Sequence, residues 1–452
     1  MTDLEVLIIG GGCHGVGLLH DLASRRIEGI HLVEEKLLSS GTSSRSTKLV
    51  HGGLRYLEHL LQWPLVHEAL AERTLLLRVL KGLVQPLPFV LPVFKGDRPA
   101  WMLRAGLFIY DSMAGDGGLP PSRRLSHNEM FEAAPYLSQT RMKEQTTGAF
   151  LYYDAQMLDD VIVRVAAAAA TKMGASYEEN ATVTKVERLT GGKGFQVTIK
   201  QAGDGSERMV TARCVINAAG AWNNANLIRW GITPQVRCLL NQGSHIVFKN
   251  SAVGTARVEE SAACLLQNKD GRVVFFIPWN GQWLLGTTES VLPAHEPRSL
   301  KPSAEEIKYL LDAALLNLNI NVDAQQISEA FAGVRTMPVL EKKSHLEKLF
   351  KNDDWVQNPF SSPAYLQTTE GLNISALSRE TIIDETLPNL FSIYGGKYTT
   401  YRAECEKLGN KISRKLGRGG QSTTRSAEAW FIQEIFQESP EIFKSSQDLR
   451  AL

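Results

Sequence analysis

The chain has 452 residues, 43% of them apolar and 21% charged, with a formal net charge of +1. Such a chain can build two or three packed cores and is too apolar to stay disordered. A net charge near zero supplies no whole-molecule field for nucleic acid, so no nucleic-acid partner is expected and any anion site must be local.

The first element is LEVLII, residues 4–9, whose unbroken apolar run fits a buried parallel strand. It runs into Gly10-Gly11-Gly12-Cys13-His14-Gly15, and VGLLHDLASRR follows with helical spacing at Val16, Leu18, Leu19, Leu22 and Ala23. In a strand, G-x-G-x-x-G, helix unit, Gly10 makes the tight turn, Gly12 lets a pyrophosphate approach the backbone, and Gly15 lets helix pack on strand. At the end of the next strand, IHLVEE, Glu34 lies near the offset of about 20 residues at which a carboxylate takes the ribose hydroxyls; Glu35 is its neighbouring alternative. The motif alone is weak, but its strand, helix and acid in order predict a dinucleotide site. The start lacks the basic residues and cleavage region of a signal peptide, which predicts a cytoplasmic protein. No stretch approaches the roughly 20 apolar residues of a spanning helix, so any membrane contact comes from one side.

Residues 42–59, TSSRSTKLVHGGLRYLEH, crowd hydroxyls, cations and two histidines around a Gly-Gly pair. Such donors suit an anionic or highly polar ligand. The stretches 77–94 and 101–110 are apolar but interleaved with Arg78, Lys81 and Arg104, a pattern that fits either core packing or contact with a lipid interface. Residues 161–175 form a helix whose alanine run suits close packing. Strands at 194–201 and 208–217 pair across the turn at 203–205, and the second ends in small residues, Ala219 and Gly220 among them, where the chain passes something bulky. Strands at 243–248, 271–279 and 283–289 form a second sheet. Residues 387–412 read as strand, Gly395-Gly396 turn and helix, so a second positive helix end faces a ligand. Two such units far apart in one chain fit an extended, buried FAD better than NAD. The five cysteines, Cys13, Cys214, Cys238, Cys264 and Cys405, are scattered without zinc-like spacing, which predicts reduced thiols and no metal.

With RPAWMLRAGLFIYD at 98–111, VINAAGAW at 215–222, GSHIVF at 243–248, FIPW at 276–279, LLGTTE at 284–289, GVRTMP at 333–338, ALSRE at 376–380 and GGKYTTYR at 395–402, the chain resembles the FAD-dependent glycerol-3-phosphate dehydrogenases of the D-amino-acid-oxidase-like superfamily. The resemblance runs from residue 4 to about 412, and HGGLRYLEH followed by GGKYTTYR is its most specific part. It implies oxidation of sn-glycerol 3-phosphate to dihydroxyacetone phosphate, with hydride passing to FAD N5 and electrons on to a quinone or another acceptor. It also implies peripheral attachment to the inner face of the cytoplasmic membrane. By position it sets Arg55, Tyr56, Arg335, Arg379 and Lys397 around substrate and flavin. The 42–51 segment then lines the FAD through Thr42, Ser43, Ser44, Ser46 and His51, turning at Gly52, and Thr399 joins it from the later helix start. Departures stand at His14, Gln242, Thr336 and Glu289, where relatives often carry Asn, Lys, Pro and Asp. The segment 341–373 is longer than the common connection.

The chemistry is consistent with that set. A phosphomonoester carries nearly two negative charges, which calls for several cations with bidentate geometry, as Arg55, Arg335 and Arg379 would supply. The alcohol proton needs a base that titrates near neutrality, for which His245 is preferred over His51. Lys397 and the amides of Gly395 and Gly396 suit the charge that collects on a reduced flavin. His245, Arg335, Lys397 and Arg55 thus form the expected catalytic set. The predicted fold class is α/β: a discontinuous Rossmann-like FAD-binding domain (1–72, 147–235, 370–416) with an inserted mixed β-sheet substrate domain (73–146, 236–369) and a short helical tail (417–452). An oxygen-using glycerol-3-phosphate oxidase, an amine or amino-acid oxidase, and a catalytically idle flavoprotein docking subunit are the alternatives.

Overall fold

The structure, a computed structural model, describes residues 3–54, 57, 62–115, 117–254, 256–292, 297, 299–320, 324–339 and 380–443. Two sheets organise it. In the first, Ser176–Glu178, Ile30–Val33, Asp3–Ile9, Glu207–Asn217 and Leu390–Tyr394 lie parallel in that order, with Ile382–Leu387 antiparallel at the edge. Val6, Leu7 and Ile8 are fully buried because both faces of the strand are covered. Helices Cys13–Ser24, Asp159–Lys172 and Tyr401–Leu416 cover one face. The antiparallel meander of Ala181–Arg188 and Phe195–Gln201, continuing into Glu207–Asn217, packs its apolar residues with the other. The helix meets the strand closely only because residue 15 is glycine: a Cβ there would overlap the Gly10 carbonyl oxygen. The small side chains of Ala166, Ala167, Ala169 and Ala170 serve the same end on the second helix.

The second sheet runs Ser290–Leu292, Arg237–Phe248, Gln282–Gly286, Val273–Trp279, Ala263–Gln267, Val84–Phe94, Thr146–Met157 and Leu49–Val50, with Ile327–Val339 paired along Arg237–Phe248. Strand alternation divides Arg237–Phe248 between two environments. Ile246 and Phe248 face a core shared with helix Ala304–Asn317, while Val247 faces one shared with helices Trp63–Val79 and Ala100–Ala114. The second sheet thereby roofs the carboxyl ends of the first, where α/β sheets bind ligands.

The sequence expectation of an α/β fold with a Rossmann-like unit and a second mixed sheet is met. Sheet membership departs from the segment division in two places, since Leu49–Val50 and Thr146–Met157 pair in the second sheet. The stretch 77–94 is corrected as a lipid-contact candidate. Val79, Leu80, Leu83, Val84, Leu87, Phe89, Val90 and Val93 are buried. Pro86, Pro88 and Pro92 share one parity of the strand, so their missing amides fall on the edge where only Phe89 and Val90 meet another strand. The 101–110 stretch differs, because Trp101, Met102 and Phe108 stand exposed on helix Ala100–Ala114. Among the described residues no helix is long and apolar enough to cross a membrane. The five cysteines form no disulfide. The tail packs the turn Ala427–Trp430 and helix Ile432–Glu438 onto the first core through Trp430 and Ile435.

Candidate functional site

Between the sheets lies a cavity of about 680 Å³ that begins at Gly10, Gly11 and Gly12 and ends among residues of both sheets. At the glycine end, helix Cys13–Ser24 points its amino terminus inward, and the Cys13 amide donates to Ser43 Oγ at 2.9 Å. Glu34 closes this end. Its Oε2 accepts from the Gly11 amide at 2.5 Å and its Oε1 from the Lys36 amide at 2.9 Å. Burial nevertheless pushes its carboxyl above the ordinary range, against the pull of those two amides. Nearby, Ser39 lines the cavity, its buried hydroxyl without a hydrogen-bond partner. A helix amino terminus aimed at the cavity, a carboxylate beside it and an unsatisfied hydroxyl on a lining residue are features an adenosine diphosphate half requires, so the residues present fit FAD. Ala219 and Gly220 line the wall as expected, beside Trp222 and Asn226, which sequence reasoning missed. Gly15 does not reach the cavity; its role is packing.

The 42–51 passage is more a brace than a row of free donors. Thr42, Ser43 and Ser46 line the cavity, whereas Ser44 is buried away from it. Thr42 Oγ1 donates to the Val334 carbonyl at 3.0 Å and accepts from the Val334 amide at 3.1 Å, tying the passage to Ile327–Val339. Ser46 Oγ donates to Asp159 Oδ2 at 2.7 Å. Asp159 also receives the Lys48 ammonium at 2.7 Å, a pair with almost no exposure that binds the passage to the start of helix Asp159–Lys172. Removing one member of such a pair strands the other's charge, at a cost of about 3–5 kcal/mol. Gly52 also lies off the cavity, its amide donating to the Tyr110 hydroxyl at 2.8 Å.

At the far end, Gly243 and His245 on one strand and Gly333 and Arg335 on its antiparallel neighbour face the cavity together. The Arg335 guanidinium lies against residue 243, where a Cβ would stand 2.5 Å from its Nη2. Nη2 donates to Thr287 Oγ1 at 3.1 Å. His245 is buried, stacked on Phe331 at 5.0 Å, and its Nε2 meets the Thr47 hydroxyl at 2.9 Å. Gly395, Gly396, Lys397 and Thr399 line the opposite wall, and Thr399 Oγ1 accepts from the His51 amide at 3.2 Å. His51 lines the cavity too. The structure therefore brings His245, Arg335 and Lys397 onto one cavity with both glycine motifs. Arg55, Tyr56, Arg379 and the 341–373 segment lie outside the described residues.

One pair on this wall escaped sequence reasoning. His14 Nε2 meets Glu404 Oε2 at 2.7 Å where helices Cys13–Ser24 and Tyr401–Leu416 begin. Burial pushes Glu404 up, but His14, with Thr381 and Thr400, holds its carboxyl below the ordinary range. Cys13, beside them, is pushed by burial up to about 12 and stays a thiol.

Residues 5–368 match the family model described as FAD dependent oxidoreductase. D-erythritol 1-phosphate dehydrogenase of Brucella abortus is 34% identical over 431 residues, covering 94% of this chain and 76% of that protein. Glycerol-3-phosphate dehydrogenase of Pseudomonas aeruginosa is 33% identical, with coverage of 94% and 74%. Among solved structures, the glycerol-3-phosphate dehydrogenase of Bacillus halodurans complexed with FAD superposes with a TM-score of 0.67 at 22% identity, covering 97% of this chain and 72% of that one.

Proposed function

The chain belongs to the FAD dependent oxidoreductase family, and we propose that within it the enzyme oxidises the secondary alcohol of a small polyol monophosphate, sn-glycerol 3-phosphate foremost. The observation that supports this most is the joint presence of His245, Arg335 and Lys397 on the cavity that the two glycine motifs line. FAD, when bound, accepts the hydride removed from the carbinol carbon. In this reading Gly10, Gly12, Ser43 and Glu34 hold its adenosine diphosphate half, and Gly395, Gly396 and Thr399 hold the half that carries the isoalloxazine. Arg335 offers its planar fork to the phosphate, and Lys397 adds a second cation; Arg55, Tyr56 and Arg379 complete the shell. The alcohol proton passes to the imidazole of His245, whose ring Phe331 and the Thr47 hydroxyl keep from turning.

A second reading follows from the similarity to a D-erythritol 1-phosphate dehydrogenase. Both readings share the phosphate and the alcohol and differ in chain length. Anaerobic addition of each polyol phosphate to the holoenzyme, with absorbance near the yellow flavin band followed in time, decides between them. We expect sn-glycerol 3-phosphate to bleach the flavin fastest and unphosphorylated glycerol and amino acids not to bleach it. Faster bleaching by D-erythritol 1-phosphate transfers the assignment to the longer substrate. No bleaching by either removes the enzyme reading and leaves the docking-subunit alternative. Electrons then leave to a quinone or another acceptor. The exposed Trp101, Met102 and Phe108 beside Arg98 and Arg104 support peripheral membrane contact, where a quinone is met.

A further inference from the structure

Behind the strand that carries His245, Glu306 is a buried carboxylate with no part in the chemistry above; it is 5% exposed. It is the third residue of helix Ala304–Asn317 and forms a capping box with Ser303, whose amide donates to Oε2 at 3.0 Å and whose hydroxyl accepts from the Glu306 amide at 3.2 Å. A cap needs no more than that. Here Oε2 also accepts from Gln242 Nε2 at 2.7 Å, and Oε1 accepts from the Thr288 hydroxyl at 2.6 Å. Gln242 sits on strand Arg237–Phe248 with its side chain away from the cavity, and Gly243 and His245 face inward. The Thr288 hydroxyl accepts in turn from the Ser244 amide at 2.9 Å.

This chain ends at the cavity. Thr287 Oγ1 accepts from Arg335 Nη2 at 3.1 Å and the Thr288 carbonyl accepts from Nη1 at 3.5 Å. A Cβ at position 243 would stand 2.5 Å from both Arg335 Nη2 and Thr287 Oγ1, so the guanidinium has little room to find another seat. The geometry points to Glu306 as a positioning residue for substrate binding, which fixes Thr288 and, through the Thr287–Thr288 pair, the angle at which Arg335 meets a phosphate. This rests on the reading of Arg335 as a phosphate ligand. Burial pushes the Glu306 carboxyl up, but the Ser303 amide, Thr288 and Gln242 hold it below the ordinary range, so it stays an acceptor only. An ionised carboxylate dictates direction. The Thr288 hydroxyl must donate to it, which leaves its lone pairs for the Ser244 amide. A glutamine at 306 would set an amide NH₂ against either Thr288 or the Gln242 and Ser303 donors and break that order.

The test is steady-state kinetics of the full-length holoenzyme carrying E306Q, T288V, T288S or R335K, with sn-glycerol 3-phosphate as substrate and inorganic phosphate as competitor. E306Q and T288V are each expected to raise KM and the phosphate inhibition constant about tenfold, with kcat within about threefold of wild type. T288S, which keeps the hydroxyl, should restore wild-type values. A lower melting temperature with KM and the inhibition constant unmoved overturns the proposal, because it marks a helix cap only. Should E306Q fail to fold, T288V decides by the same criteria. If R335K itself leaves KM and the inhibition constant unchanged, the phosphate reading of Arg335 fails; if R335K moves both and E306Q and T288V move neither, only the positioning role fails.

Discussion

His245 is held on two sides, by the Thr47 hydroxyl at Nε2 and by the Phe331 ring beneath, and it shares its strand face with the Gly243 bed of Arg335. If His245 is the base, as proposed, its loss should affect proton removal more than binding. H245N is therefore expected to slow anaerobic flavin reduction by sn-glycerol 3-phosphate by about 10²–10⁴-fold while KM changes little, measured by stopped-flow absorbance. An unchanged reduction rate would place the base elsewhere. His245, Arg335 and Lys397 were legible because each stands in a short motif of fixed spacing. Their partners were not. Thr47 is 198 residues from His245, Glu306 is 64 from Gln242, and Glu404 is 390 from His14. Only strand and helix packing brings such pairs together, so no local pattern announces them. Ser44 and Gly52 illustrate the converse: both have the chemistry of a cofactor loop, but the Ser46 and Lys48 bonds to Asp159 and the Gly52 bond to Tyr110 set which side each residue turns to the cavity.

At the scale of elements, the tail is joined to the first helix by a titratable contact. His20 of helix Cys13–Ser24 meets the Ala429 carbonyl at 2.7 Å through Nε2, and Trp430 packs edge-on at 4.5 Å. Burial pushes this imidazole down to about 4, although the carbonyl pulls it up. The unfolded chain, with an ordinary histidine near 6.5, binds the proton first as pH falls. The contribution is therefore complete above about pH 6.5 and is lost progressively toward pH 4, to a total of about 3 kcal/mol. Chemical denaturation at pH 7 and pH 4.5 should show wild type losing about 2 kcal/mol more than H20Q, which keeps a donor and cannot titrate; parallel losses would sink the assignment. Strand, glycine and helix units at either end of the chain were readable because propensity and period act locally. The first helix begins at Cys13 rather than Val16, since the glycine motif itself supplies its first turn. The 77–94 apolar run misleads because hydropathy counts residues without knowing what covers them; three prolines and a partner strand, not lipid, account for it. The pairing of Thr146–Met157 with Val84–Phe94 is fixed by contacts across tens of residues, which periodicity cannot reveal.

Viewed as a whole molecule, the second sheet leaves helix Ala100–Ala114 with an apolar face turned outward. Trp101 and Phe108, seven residues apart on Ala100–Ala114, share that face and are 69% and 70% exposed, with Met102 at 44% beside them. Arg98 and Arg104 are exposed along the same segment. The opposite face is anchored: Tyr110 donates to Asp154 Oδ1 at 2.7 Å and accepts the Gly52 amide, and Arg73 pairs with Asp154 at 2.6 Å. An element firmly held inside and apolar outside is suited to rest on a surface without deforming the site. Burying Trp101 and Phe108 in a lipid interface is worth about 1.5–3 kcal/mol each, and each basic residue near an anionic surface adds about 1 kcal/mol, enough for reversible attachment and far short of insertion. In sedimentation with anionic phospholipid vesicles, the W101E, F108E double variant is expected to lose at least about tenfold in binding. Because neither side chain is packed inside, anaerobic bleaching by sn-glycerol 3-phosphate should be unchanged in the same variant. Equal sedimentation of both proteins would show that this face does not meet the membrane, and a loss of bleaching would show that the helix supports the site more directly than its exposure implies.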